Sequence, residues 1–499
     1  MKKIVYLPLD ERPCNYSFAA FLSEQNPDFC LVRPEQGLLG EKKRPAEFDG
    51  VAAFLKRECA GAYALVLSVD MLLYGGIVPS RLHQSTEDEL LSRLSLLETL
   101  KKENPALKIY AFALIMRCPS YSSSDEEPDY YETCGKEIFL RGQAEHKYAL
   151  GLIDEADYAQ TVAALDEKIG GHLADFLNRR KTNLSALKKA ISYVGNIIDK
   201  FVIPQDDSSP YGYTAIDQQS VKEYLQNENK QVDIYPGADE VGMTLLAAAV
   251  NGLKGGAPKI CPVYPCEDCK KVVPLYEDRE VQRSVAAQIK NAGCILAECE
   301  ADADILLFCN LPVGKMKNIS EKGGEQYEKR NLPAFTQKMK EAIESGKRVA
   351  AADIAYCNGG DEEWARLIEA ELGMFSLCGY AGWNTSSNTL GTAICQSVLH
   401  YYYGDTQTHR AFTAERIYED IGYCAFVRKY VCDEVLPKID GLDYFHADGK
   451  NGEVARLVKS LLHNYVAEKF PNIAKAYEIE TCEMPWSRMF EVGLTVKEK

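Results

Sequence analysis

The chain has 499 residues, of which 46% are hydrophobic, 26% charged and 10% aromatic, a composition that excludes a disordered, collagen-like or coiled-coil protein. That length exceeds what one hydrophobic core supports, so two or three domains are expected. The 57 Lys and Arg residues against 73 Asp and Glu give a net charge of -16, which argues against a general phosphate-backbone binder and hence against a nucleic-acid partner.

No apolar run reaches the roughly eighteen residues of a membrane span, and the N-terminal MKKIVYLPLDERP turns charged within its first positions. Neither a signal peptide nor a membrane partner is expected. Seventeen cysteines, an odd number, fit reduced thiols and a cytoplasmic location better than a disulfide framework. Cys261, Cys266 and Cys269 in CPVYPCEDCKK could offer three thiolates to zinc or an iron–sulfur cluster. A fourth ligand at the usual spacing is missing, so no metal and no cofactor is expected.

Along the chain, short apolar runs alternate with longer amphipathic stretches, the sign of parallel β/α construction. The first six runs are IVYLPLD (4–10), FCLVRP (29–34), ALVLSVD (64–70), IYAFALIMR (109–117), FVIPQDD (201–207) and VDIYPGADE (232–240). Between the fourth and fifth, residues 120–198 read as a helical insertion. The pattern restarts with KICPVYP (259–265), CILAECE (294–300), DILLFCNLP (304–312), RVAAADIAY (348–356) and FSLCGYAGWN (375–384). The expected organisation is α/β: a barrel-like or doubly wound parallel domain over 1–256, a second α/β domain over 257–404, and a mainly helical region over 405–499.

The first set of runs ends in charged groups. Asp10 and Arg12 follow the first run, Asp70 and Arg81 the third, Arg117 the fourth, Asp206-Asp207 the fifth, and Asp239-Glu240 the sixth. Parallel strand ends converge on one face, where ligands bind. Any one of these residues could serve as a helix cap, but caps need neither arginines nor adjacent acid pairs. Two neighbouring carboxylates push their proton affinities apart, so that one donates while the other accepts, as glycoside hydrolysis requires. Tyr211, Tyr74, Tyr213, Tyr380 and Trp383 offer an aromatic platform, and Asn384 lies in an amide-rich run after Trp383. The seven histidines fall at no zinc-ligand spacing, and no phosphate-binding glycine loop or nucleophile elbow is present.

With LPLDERPCN, SVDMLLYGGIVPSR, IPQDDSSPYG, YPGADEVGM, AADIAYCNGGD and GYAGWNTSSNTLG in order, the sequence resembles a bacterial family catalogued as domain of unknown function 4127 over nearly its whole length. That resemblance implies no activity. Locally, GADEVG is similar to the Asp-Glu signature of retaining β-N-acetylhexosaminidases, and QDD resembles the Asp-Asp pair of another substrate-assisted hexosaminidase family. These likenesses imply that Glu240 or Asp207 is the acid, and that Asp239 or Asp206 orients the acetamido group.

The expected function is a glycoside hydrolase with Asp206, Asp207, Asp239 and Glu240 as catalytic candidates. Asp10, Arg12, Asp70, Arg81, Arg117, Tyr211, Trp383 and Asn384 are the substrate-binding candidates, for a small carbohydrate. The alternatives are a two-domain sugar or sugar-phosphate binding protein, and a carboxylate-metal hydrolase or isomerase using Asp10, Asp206 and Asp239. A homo-oligomer is compatible with either.

Overall fold

The computed structural model describes residues 1–499. Every one of the apolar runs forms a strand. The first set gives β1 (Lys2–Leu7), β2 (Phe29–Val32), β3 (Ala64–Ser68), β4 (Lys108–Phe112), β5 (Lys200–Gln205) and β6 (Asp233–Pro236). The second gives β7 (Lys259–Val263), β8 (Ile295–Leu296), β9 (Ile305–Asn310), β11 (Arg348–Asp353) and β13 (Gly379–Ala381). Two short strands, β10 (Lys317–Asn318) and β12 (Tyr356–Cys357), pair with each other. Strands such as β3 and β9 are buried along their whole length, as parallel strands covered on both faces must be.

The first sheet runs β2-β1-β3-β4-β5-β6 with every pair parallel. It is open, with edges at β2 and β6, so the doubly wound alternative is realised and the barrel is not. The second sheet, read from its β8 edge, runs β8-β7-β9-β11-β13, again parallel throughout. Both therefore follow one winding rule: the first strand lies between the second and the third. The winding direction reverses at β1/β3 and at β7/β9, the places where loops diverge and leave room for a ligand.

Two compact units result. One comprises Met1–Glu11, Asp28–Ala238 and Tyr276–Asp278, and the other Arg12–Pro27, Asp239–Leu275 and Arg279–Lys499. The sheets part between β6 and β7, and the helix Val241–Lys254 groups with the second unit. A glycine explains that grouping. A Cβ at Gly391 would stand 2.4 Å from Cγ of Glu240 and 2.7 Å from Oγ1 of Thr244, so the helix Ser386–Tyr403 lies directly against the one that Glu240 begins.

In the first unit the insertion forms the helices Tyr131–Ala149, Glu155–Ile169 and His172–Ser192. They close over a small core that includes Tyr131, Ile138 and Phe176. The tail of the second unit contains an eleven-residue π-helix, Ile417–Val427, and the helix Glu453–Lys469. An antiparallel hairpin, β14 (Tyr477–Glu483) with β15 (Gly493–Glu498), which the sequence reading did not include, follows them. Trp364, Tyr418, Leu462 and Phe470 are fully buried in the core these elements share. No helix is long and apolar enough to cross a membrane.

Candidate active site

In the first unit, five of the sequence-chosen residues come together at the C-terminal ends of β3, β4 and β5. Arg81 donates from Nη2 to Asp206 at 2.9 Å, and Arg117 from Nη1 to Asp207 at 3.0 Å. Two acids that the sequence reading passed over complete the group. Glu126 accepts from Arg81 at 3.0 Å and from Arg117 at 3.1 Å, while Glu127 accepts from Arg117 Nε at 2.7 Å. Four carboxylates thus share two guanidinium groups. The other oxygen of Glu127 is buried without a hydrogen-bond partner.

Asp70 belongs to the same site from below. Its Oδ2 accepts the Leu114 amide at 3.0 Å. A water-sized cavity of about 10 Å³ is lined by Asp70, Ser80, Arg81, Arg117, Asn183 and Asp206. Burial raises the Asp70 carboxyl from the ordinary range to about 7, against the pull of the Leu114 amide and Arg81.

Asp207 is raised to about 7 as well, first by burial and then by the neighbouring Asp206 charge, with Arg117 and Arg81 opposing the shift. Its side chain nonetheless keeps 23% of its surface open. It also sits at φ 45°, a left-handed conformation that costs a non-glycine residue about 1–2 kcal/mol and that collects at functional sites. The turn is held by the Ser208 amide, which donates to the Tyr276 carbonyl at 3.1 Å. It is held also by Gln218, which donates to the Gln205 side chain at 2.6 Å.

Tyr211 stands edge-on to His146, with the Lys147 ammonium 5.4 Å from its ring centre. Tyr74 stacks on His83 at 4.6 Å. Asp10 is buried at the end of β1.

The remaining candidates lie in the second unit, engaged there by other groups. Asp239 accepts from Arg12 at 2.6 Å and from Asn15 at 2.8 Å. Arg12 also stacks over Trp486 at 4.6 Å. Glu240 is fully buried, and its two oxygens accept from the amides of Gln288 and Asn388, each at 2.7 Å. Trp383 is buried edge-on to Phe18, its indole N–H donated to Thr392 at 3.2 Å. Asn384, at φ 47°, donates to Asn388 at 2.7 Å. That bond supports the box in which Thr385 caps the helix Ser386–Tyr403.

The second sheet has a charged cluster of its own. At the ends of β9 and β11, Asn310 donates to Asp353 at 3.0 Å, and Arg330 reaches Asp361 at 2.6 Å. The Gly382 amide donates to Asp420 at 2.7 Å. Gly360 and Gly382 are needed here, because a Cβ on either would stand 3.2 Å or less from an atom of Asp353. Arg416 pairs with Glu419 at 2.5 Å, Asp420 at 2.9 Å and Glu415 at 3.2 Å, and its guanidinium lies 3.8 Å from the centre of the Phe18 ring. Burial raises Asp353 and Glu419 to about 7, Glu415 to about 8 and Asp420 to about 6. No three His, Cys, Asp or Glu side chains are grouped as a metal cage.

Fold and strand ends together define a two-sheet α/β protein built twice on one doubly wound plan, with a charged cluster at the strand ends of each sheet. The chain belongs to the family described as "Protein of unknown function (DUF4127)", whose model matches residues 4–495. No curated protein and no solved structure matches it.

Proposed function

We propose that the chain is a hydrolase of the acid–base type, cleaving a glycosidic bond of a small, N-acetylated sugar in the cytoplasm, with Asp206 and Asp207 as the working pair. One observation carries the reading: Asp207, raised to about 7, keeps open surface at a strand end where a carboxyl can reach a substrate. A proton donor works best when its affinity matches the ambient pH. The competing pair is less suited, because Glu240 has no open surface and both its oxygens are taken by amides.

Asp207 then protonates the leaving oxygen. Asp206, fixed by Arg81 and, at 3.7 Å, by Arg117, accepts from the acetamido N–H and orients that group for attack on the sugar's anomeric carbon. Asp70, raised to about 7, lines with Asp206 the water-sized cavity next to this pair. The location rests on the thiols: all seventeen cysteines are free.

The test is a panel of nitrophenyl glycosides, N-acetylhexosaminides included, assayed from pH 4 to 8. Turnover should fall on the alkaline side, near pH 7, as the donor loses its proton. Asp207→Asn should lower kcat by about 10²-fold or more. Unchanged turnover in that variant would remove the proposal.

A second reading has its own support. Asp206, Asp207 and Asp239 are all ion-paired, the posture expected of a sugar or sugar-phosphate binding protein. A sugar that raises Tm equally in wild type and in Asp207→Asn, without being turned over, would favour it.

A further inference from the structure

We infer that Cys266 and Cys269 form a reversible dithiol–disulfide pair that exchanges with small-molecule disulfides, a redox site independent of the hydrolase reading. Their sulfur atoms lie 3.0 Å apart. The local fold explains this closeness. Cys266 caps a 3₁₀ turn, Glu267–Lys271, that contains Cys269, and a 3₁₀ turn eclipses side chains three residues apart. The Cys269 amide reaches the Cys266 carbonyl at 3.3 Å, which fixes the two backbones in that register. No other pair of cysteines in the chain has this C-x-x-C spacing.

The two thiols also divide the work. Cys266 is half-buried and followed by the exposed Glu267 and Asp268, whereas Cys269 is buried. Burial pushes the Cys269 thiol up to about 12, so Cys266 meets the oxidant and Cys269 resolves. In the first step the Cys266 thiolate attacks one sulfur of the small disulfide. That S–S bond breaks, and the departing small thiolate takes up the proton Cys266 released. In the second, Cys269 gives up its proton and attacks the Cys266 sulfur. The second small thiol leaves with that proton, so the protein loses two electrons and two protons and the small disulfide gains them.

The position gives the exchange a consequence. Cys269 Sγ stands 3.7 Å from the Leu311 carbonyl, one residue beyond Asn310, the last residue of β9, which donates to Asp353 at the end of β11. Closing the bridge takes away the Cys269 thiol proton, and with it the contact donated to the Leu311 carbonyl.

The full chain is equilibrated with graded ratios of oxidised to reduced glutathione, and free thiols are then trapped with N-ethylmaleimide. Peptides are mapped by fragmentation, since cleavage after Lys259 and Lys270 leaves Cys261, Cys266 and Cys269 together. The expected result is loss of two hydrogens across Cys266 and Cys269, rising with the ratio and reversed by reductant, while Cys261 stays alkylated. Cys266→Ser should abolish it, and Cys299→Ser, at an exposed cysteine, should not. Alkylation of both cysteines at every ratio, arrest at a glutathione adduct on Cys266, or a bridge to Cys261 instead would each overturn the proposal in the wild-type protein itself.

Discussion

The two sheets wind in the same order, and each gathers acids and arginines at its strand ends, but they differ in access to solvent. In the first, Asp206, Asp207 and Glu126 keep 20%, 23% and 19% of their side-chain surface. In the second, Arg416 and Asp420 keep none. A cluster that still reaches water can meet a substrate. A sealed one is bound to the packing around it, where removing one partner leaves the others buried without compensation. The same topology thus carries an open charged cluster in one unit and a sealed one in the other, and depth below the surface separates them.

Removing the sealed cation should break the comparison most severely. Arg416→Met strands Glu415, Glu419 and Asp420, and is expected to destabilise the second unit by about 3–5 kcal/mol, read as a large fall in Tm by calorimetry. Asp207→Asn, at the open cluster, should leave Tm almost unchanged.

The pH dependence sharpens the contrast by degree, since the second unit's cluster holds four raised carboxyls where the first unit's holds two, Asp70 and Asp207. Asp353, Glu415, Glu419 and Asp420 titrate at about 6 to 8 in the folded second unit, above the roughly 4 of an unfolded carboxyl. The folded state therefore binds protons that the unfolded chain has lost. Stability is present at the acid end of that window and declines as pH rises through about 6 to 8. Thermal melts should give a higher Tm for the second unit at pH 5.5 than at pH 8.5, and an unchanged or rising Tm would contradict the protonated cluster.

Two smaller effects probe the supports. Gly391→Ala forces a methyl against Glu240 and Thr244 and should cost about 1–3 kcal/mol. Asn384→Ala places a residue without a local hydrogen bond at φ 47° and gives up the bond to Asn388, for about 1–2 kcal/mol. Denaturant midpoints of each variant check both.

The strands were legible because a parallel strand buried on both faces reads as an unbroken apolar run, as ALVLS and ILLFCN do. Their order was not, since neighbours in these sheets are set by crossovers that leave no local trace. Asp206, Asp207, Arg81 and Arg117 were legible as polar residues ending such runs. Glu126 and Glu127 were missed because SSSDEEPD reads as an ordinary solvated loop. Arg416, Glu419 and Asp420 were missed because TAERIYED reads as a surface helix. The available signal was their spacing, i, i+3 and i+4, with apolar residues on every side. Strand β14 was missed because Tyr477–Glu483 follows directly on helical sequence with no glycine to mark the change.

The division of the chain between its units bears on how the protein is made. Residues 12–27 leave the ribosome among the first, yet they belong to the second unit. There Phe18 packs against Trp383, Phe412 and Arg416, synthesised about four hundred residues later. At about 5–20 residues per second, that is a wait of roughly 20 to 80 s. During it, an early apolar segment has no partner of its own, and it is the part of the nascent chain on which chaperones would be expected to act. A chain ending before Arg416 would never bury Phe18 as the full one does.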